Sequence, residues 1–433
     1  MKLNNCSRIQ FLAGALFIGA IVAGCNPSTT TSTDTSSGNT SSGSASGTVK
    51  RPAMATDKPV VASGNTIKIG VVASISGDQK PWGEDSVNGA KLAVDEFNKA
   101  GGLNGKQVEM DVQDSQSSPQ VAKSAADKAI SDGVIGIVGE VSSGNTIEIA
   151  NSCFEAAIPD VAVGATKTTL TDIGNNVFRV CYTDAFQGPV MANFAYTTLG
   201  LHKVAVMTDN KLPYSQGLSQ DFETAFLKLG GTIVDEEKYE SGASSFTTQL
   251  TNLQAKDPEG IFCSGYFTEV GPIVAAARAM GLSVPMFGGD GWDSPKILQS
   301  GGQAILKDCY FCNHYTNEDP SPAVQSFLAK WKTAYGGVPG TTMGALGYDA
   351  MAVTLQALKD GGKADSVSLR NALANISDFK GVSGDITLKG AHGNPPKRAL
   401  VVQIGPMTAK GFQKPVKAYV PGPDGQVLDS KLQ

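Results

Sequence analysis

A chain of 433 residues, 41% apolar and 17% charged, is long enough for two or more domains with sizeable cores; it suits a soluble globular body with a polar, lightly charged appendage. A formal net charge of −5 excludes a nucleic-acid surface, which needs a clustered basic face. Only three histidines are present, His202, His314 and His392, and none stands at ligand spacing from another, so no metal centre is expected.

At the amino end, Lys2 and Arg8 precede the apolar run Phe11 to Val22, which is too short for a comfortable membrane span and has the proportions of a secretory signal. The run ends in Val22-Ala23-Gly24-Cys25, which resembles a bacterial lipobox, with residues 1–24 removed and Cys25 lipidated. Residues 25–65 are mostly Ser, Thr, Gly and Ala and lack the bulky apolar groups that would repay ordering, so a flexible tether is expected there. A signal, an anchor and a tether place the body outside the cytoplasm, bound to a bacterial membrane through lipid. The body keeps Cys153, Cys181, Cys263, Cys309 and Cys312. Cys309-Tyr310-Phe311-Cys312 matches CxxC, but it falls on a strand, no second ligand pair exists, and structural cysteines are expected.

Folding is expected to begin near Thr66. Ile67 to Ala73 reads as a buried strand, Ser74 to Gly83 as a loop holding Trp82, and Ser86 to Ala100 as a helix stopped by Gly101-Gly102. Val108 to Val112 is a second strand, and Ser118-Pro119 opens a helix to about Asp132. Val134 to Thr171 then reads strand, polar loop, helix, strand, polar loop, the grammar of a parallel βαβ unit. After the short strand Phe178 to Val180 the rhythm restarts, with strands at Lys203, Thr232, Gly260 and Pro285 separated by helices. Two successive runs of this kind predict two parallel sheets. Three helices follow Tyr315, and Asp385 to Val420 reads as short strands and turns.

Loops at the carboxyl ends of strands are where open α/β sheets bind ligands. Ser143 and Thr166 hold equivalent places after two neighbouring strands, where one carboxylate can touch both hydroxyls and free N–H groups; each also fits as a plain helix cap. Gly164 and Ala165 have small side chains that let a ligand approach their carbonyls. Asp290, in Gly288-Gly289-Asp290-Gly291-Trp292, suits a ligand ammonium or a simple Asx turn. Tyr214 and Tyr266 stand at strand ends of the second run, Trp82 can wall an aliphatic side chain, and Asp184 falls where the first run ends, as a hinge or supporting residue. Trp292 and Trp331 read as packing. No nucleophile–base pair stands out, and no GxGxxG or Walker A pattern follows the first strand, so neither catalysis nor a cofactor is expected.

The ordered segments Ile67 to Ser76, Trp82-Gly83, Asn88-Gly89-Ala90, Gly139 to Thr146, Gly164-Ala165-Thr166, Phe178 to Gly188, Tyr214 with Gly217, Gly265-Tyr266 and Gly288 to Ser294 resemble the substrate-binding proteins of branched-chain amino acid ABC transporters. The resemblance runs from Thr66 to Val420 and implies the type I periplasmic binding fold: α/β, two doubly wound parallel-sheet lobes joined by crossovers near Asp184, Tyr315 and Asn394. Residues 66–184 with 316–394 then form one lobe, and 185–315 with 395–433 the other. It further implies a monomer that binds a small amino acid-like ligand and delivers it to a membrane permease. Carried over, Ser143 and Thr166 hold the ligand carboxylate, the Gly164-Ala165 backbone and Asp290 its ammonium, Tyr214 and Tyr266 the second-lobe side, and Trp82 its side chain. Asp290 stands where some leucine-binding members have glutamate, and Ser142 where they have a disulfide cysteine. Other relatives take amides, urea or aromatic acids. An enzyme on this scaffold and a sensory surface lipoprotein are the remaining readings.

Overall fold

In the computed structural model, residues 51–54 and 58–432 are described. The expected signal peptide, Cys25 and most of the expected tether lie outside them.

The first sheet grows from β1 (Thr66–Ala73), whose residues from Ile69 onward are all buried, as a strand covered on both faces requires. Around it run α1 (Lys80–Lys99), β2 (Gln107–Asp114), α2 (Pro119–Ser131), β3 (Ile137–Val138), α3 (Ser143–Glu155), β4 (Asp160–Ala162) and β5 (Val177–Arg179). The strands pair in parallel in the order β2-β1-β3-β4-β5.

The chain crosses to a second sheet through α4 (Asp184–Asn193) and continues as β6 (Lys203–Asp209), α5 (Pro213–Lys228), β7 (Thr232–Tyr239), α6 (Thr247–Ala255), β8 (Gly260–Cys263), α7 (Phe267–Ala279), β9 (Met286–Gly288), α8 (Lys296–Gly301) and β10 (Cys309–Asn313). Helices α9 (Pro322–Tyr335), α10 (Met343–Gly361) and α11 (Ser366–Leu373) return to the first sheet, followed by the hairpin β11 (Phe379–Gly381) and β12 (Gly384–Ile386). Glycines permit a very close α1–α10 crossing: a Cβ on Gly89 would lie 1.9 Å from the Gly344 carbonyl oxygen. The last segment rejoins the second sheet as β13 (Ala399–Thr408), β14 (Gly411–Pro421) and β15 (Val427–Ser430), giving the order β15-β14-β13-β10-β9-β8-β6-β7. The fold is therefore α/β with two lobes, each built on a parallel sheet, and the second carries an antiparallel extension.

Several expectations are corrected. Helix α1 starts at Lys80, not Ser86, with Pro81 in its first turn, so Trp82 is helical and not in a loop. The tail forms strands of 10 and 11 residues, because β13 lies buried beside β10. The end of the expected tether is docked on the body. Arg51 Nη1 donates to the Val177 carbonyl at 2.6 Å, Met54 is buried, and the Val60 and Ala62 amides bond Ser366 Oγ and the Ala364 carbonyl. The five body cysteines are all free and buried.

Candidate functional site

The loops leaving the carboxyl ends of the parallel strands in both lobes line one narrow cavity between them. Trp82, Val141, Ser143, Gly164, Thr166 and Met343 line it from the first lobe, and Tyr214, Tyr266, Asp290 and Gly291 from the second.

On the first-lobe side, Ser143 opens α3 and Thr166 follows β4 in the loop toward β5. Ser143 Oγ accepts from the Lys167 amide at 3.3 Å, and Thr166 Oγ1 accepts from Gln187 Nε2 at 3.4 Å. A hydroxyl that accepts one bond still has its own hydrogen to donate, so these two can greet a negative group beside the positive end of α3. Val141, Met343 and the Trp82 ring supply an apolar wall.

On the opposite side Asp290 follows β9 and is 4% exposed. Its Oδ1 accepts from Tyr214 Oη at 2.9 Å and Gln187 Nε2 at 3.0 Å, and its Oδ2 lies 3.0 Å from His314 Nε2. A carboxylate offers about four acceptor positions; three are taken, and one remains for a cavity ligand. Tyr214 and Tyr266 stack at 5.1 Å, and burial pushes both phenols well above their ordinary value, so they stay neutral. Burial lowers the His314 pKa despite Asp290 beside it. His314 stacks on Tyr182 at 4.0 Å, and its Nδ1 is one of the buried atoms without a hydrogen-bond partner. The lobes also meet directly: Trp82 Nε1 donates to the Asp293 carbonyl at 2.6 Å, and Asp293 Oδ2 accepts from the Thr342 amide and hydroxyl at the start of α10.

Of the residues singled out in the sequence, Trp82, Ser143, Thr166, Tyr214, Tyr266 and Asp290 line the cavity. Ala165 and Asp184 do not. The Ala165 carbonyl, expected to face a ligand ammonium, accepts from Arg179 Nη1 at 2.7 Å and from the Cys181 thiol at 3.4 Å, and so is held behind the wall. Asp184 is fully buried behind Asp290, joined to it through Gln187. The sequence reading missed Gln187, His314, Arg179 and Glu140 as functional candidates. Glu140, two residues beyond β3, is 2% exposed; its Oε1 accepts from Ser74 and Ser115 at 2.5 Å each, and its Oε2 from Ser142 at 3.1 Å. Those serines end β1 and β2 and cap α3, so one acid ties three loops together. A polar residue within two positions of the end of each of three adjacent strands, Ser74, Ser115 and Glu140, was the available signal.

A model of the periplasmic binding protein family matches residues 66–411. The chain belongs to that family. Accordingly it is an extracytoplasmic solute-binding protein of an ABC transporter, a transport receptor and not an enzyme. This periplasmic binding protein is 28% identical over 325 residues to the Leu/Ile/Val-binding protein homolog 3 of Brucella melitensis, covering 74% of this chain and 86% of that one. It is 30% identical to the crystallised branched-chain amino acid transporter substrate-binding protein LivJ of Streptococcus pneumoniae in complex with isoleucine, with a TM-score of 0.74 over 84% of this chain and 100% of that one. A Rhodopseudomonas palustris solute-binding protein in complex with 3,4-dihydroxybenzoic acid shares the fold, with a TM-score of 0.73 at 24% identity over 82% of this chain and 98% of that one. Among the described residues, no helix is long and apolar enough to cross a membrane, and no cluster of three or more His, Cys, Asp or Glu could hold a metal.

Proposed function

We propose that this receptor captures a small zwitterionic amino acid, with a branched aliphatic side chain the best fit, and presents it to its permease. The carrying observation is the cavity that sets the Ser143 and Thr166 hydroxyls on one lobe against the buried, three-fold hydrogen-bonded Asp290 on the other. In this reading Ser143, Thr166 and the α3 N-terminus take the carboxylate, Asp290 takes the ammonium, and Val141, Met343 and Trp82 surround the side chain. The ligand favours closure because only closed lobes let it touch both rims. The isoleucine complex of the pneumococcal relative supports the ligand class.

Titration calorimetry with isoleucine, leucine, valine, alanine, benzoate and 3,4-dihydroxybenzoate tests this. The branched-chain acids are expected to bind most tightly. Binding of the benzoates alone, which carry no ammonium, overturns the reading and favours a ring packed among Trp82, Tyr214 and Tyr266. Anchoring through a lipidated Cys25 is part of the proposal, and mass spectrometry showing a mature N-terminus elsewhere refutes that part.

A further inference from the structure

Behind the cavity lies a second acid that the ligand does not need to touch. Asp184, at the start of α4, is 0% exposed. Its Oδ1 lies 2.8 Å from Gln187 Nε2, the same nitrogen that reaches Asp290 Oδ1 at 3.0 Å, so one amide group is clasped between two buried carboxylates. Asp184 Oδ2 has no hydrogen-bond partner. Two adjacent carboxylates out of water repel each other, and an ionised oxygen with no donor is costly to bury. A proton on that oxygen removes both penalties.

We propose that Asp184 holds a proton while the cleft is empty, and that the ammonium of the captured amino acid, on reaching Asp290, expels it. The inference rests on the reading of the ligand as an ammonium-bearing amino acid. The exchange balances. The Asp184 O–H bond breaks and its proton leaves to water; an N–H of the ligand ammonium takes up the remaining acceptor position of Asp290. The pair carries one net negative charge before binding, and pair plus ammonium carry one net negative charge after it. Below about pH 7 the site therefore selects a cation over a neutral group without burying an uncompensated second charge.

The surroundings agree. The Asp184 carboxyl is pushed up to about 7, by burial first and by Asp290 second. Asp221 on α5 adds a further negative charge. Facing the other way, the Arg179 guanidinium of β5 attracts both Asp184 and the Cys181 thiol, but it is committed to the Ala165 and Lys167 carbonyls. Burial pushes the Cys181 thiol up to about 12, and the Tyr214 and Tyr266 phenols are neutral. His314, which reaches Asp290 from the end of β10, is held toward its neutral form by burial. Asp184 is thus the group placed to lose a proton when a cation arrives.

The sign follows from linkage: proton release on binding makes affinity rise with pH. Above about pH 7 the empty pair has already lost its proton and affinity levels off; below it, affinity for a zwitterion falls by up to about tenfold per pH unit. Calorimetry of the mature protein with isoleucine at pH 6.5, in phosphate and in Tris, reads the protons released directly. The expected result is a net release of more than half a proton per ligand, lost in Asp184→Asn, whose affinity becomes flat between pH 6 and 8. Buffer-independent heats in the wild type overturn the proposal. So does a release that persists in Asp184→Asn, which assigns the proton to another group such as Asp293. Absence of heat with every amino acid is a separate outcome: it removes the ligand reading, and the exchange with it. Should Asp184→Asn fail to fold, difference infrared spectroscopy of the wild type decides. Isoleucine is expected to bleach a protonated-carboxyl band, and an unchanged band overturns the proposal.

Discussion

Two acids occupy the same station in the two lobes. Glu140 follows β3 after a single glycine, and Asp290 follows β9 after a single glycine. Both are almost wholly buried, and each accepts three side-chain hydrogen bonds. Their difference lies in what surrounds them. Around Glu140 the donors are the hydroxyls of Ser74, Ser115 and Ser142, and the side chain does not line the cavity. Asp290 lines the cavity, and its donors come from Gln187, Tyr214 and His314. A satisfied buried acid away from the cavity is scaffold, whereas one at the cavity wall is poised to bind.

The largest expected effect breaks the scaffold side of the comparison. Glu140→Ala strands the hydroxyls of Ser74, Ser115 and Ser142 in a buried pocket. Leaving a buried hydroxyl without its acceptor costs about 1–3 kcal/mol each, and urea unfolding should show a lowered midpoint. Glu140→Gln keeps the acceptor oxygen and should recover most of it. Burial raises the Glu140 pKa, while the hydroxyls of Ser115 and Ser74 favour its ionised form.

Asp290→Asn tests the other side. It keeps an acceptor for Tyr214 but removes the charge proposed to meet the ammonium. Isoleucine affinity should fall by about 2–5 kcal/mol, as for truncating one member of a buried charge pair, while the urea midpoint moves far less than in Glu140→Ala. An Asp290→Asn protein that binds isoleucine as well as the wild type would remove the acid from the site. Equal loss of stability in the two variants would erase the distinction between them.

How much of this was legible in the chain differs by element. The buried parallel strands announce themselves as apolar runs, and the loops after them carried most of the cavity-lining residues, because a doubly wound sheet fixes where such loops meet. The tail was harder: β14 is GFQKPVKAYVP, with lysines and prolines, and its strand character comes from pairing with β13 and β15. Arg51 and Met54 looked like tether because their partners, Val177 and Asn175, lie more than a hundred residues away. Ala165 was misplaced because sequence shows that a carbonyl is accessible but not that Arg179 already holds it. Glu140 and Asp290 could not be ranked from sequence at all. Both are an acid after a glycine with three side-chain partners, and only the place of Asp290 in the cavity wall separates them.

The smallest expected effect concerns the shape of the space between those acids. Gly164 lines the cavity, and a Cβ built there would stand 3.0 Å from both Met343 Sδ and Val141 Cγ1. Those atoms belong to the wall proposed for the ligand side chain, so Gly164→Ala must push it inward or aside. Overpacking of this kind costs about 1–3 kcal/mol, and here flexible Met343 can yield, which places the effect near the lower end. Because the added methyl intrudes on the side-chain region and not on Ser143, Thr166 or Asp290, the penalty should depend on ligand bulk. Isoleucine and leucine affinities should drop about tenfold, and alanine affinity should barely change. A uniform loss across all three would mean that the methyl disturbs the carboxylate end instead. That outcome would relocate the side-chain pocket away from Val141 and Met343 while leaving the contrast between Glu140 and Asp290 intact.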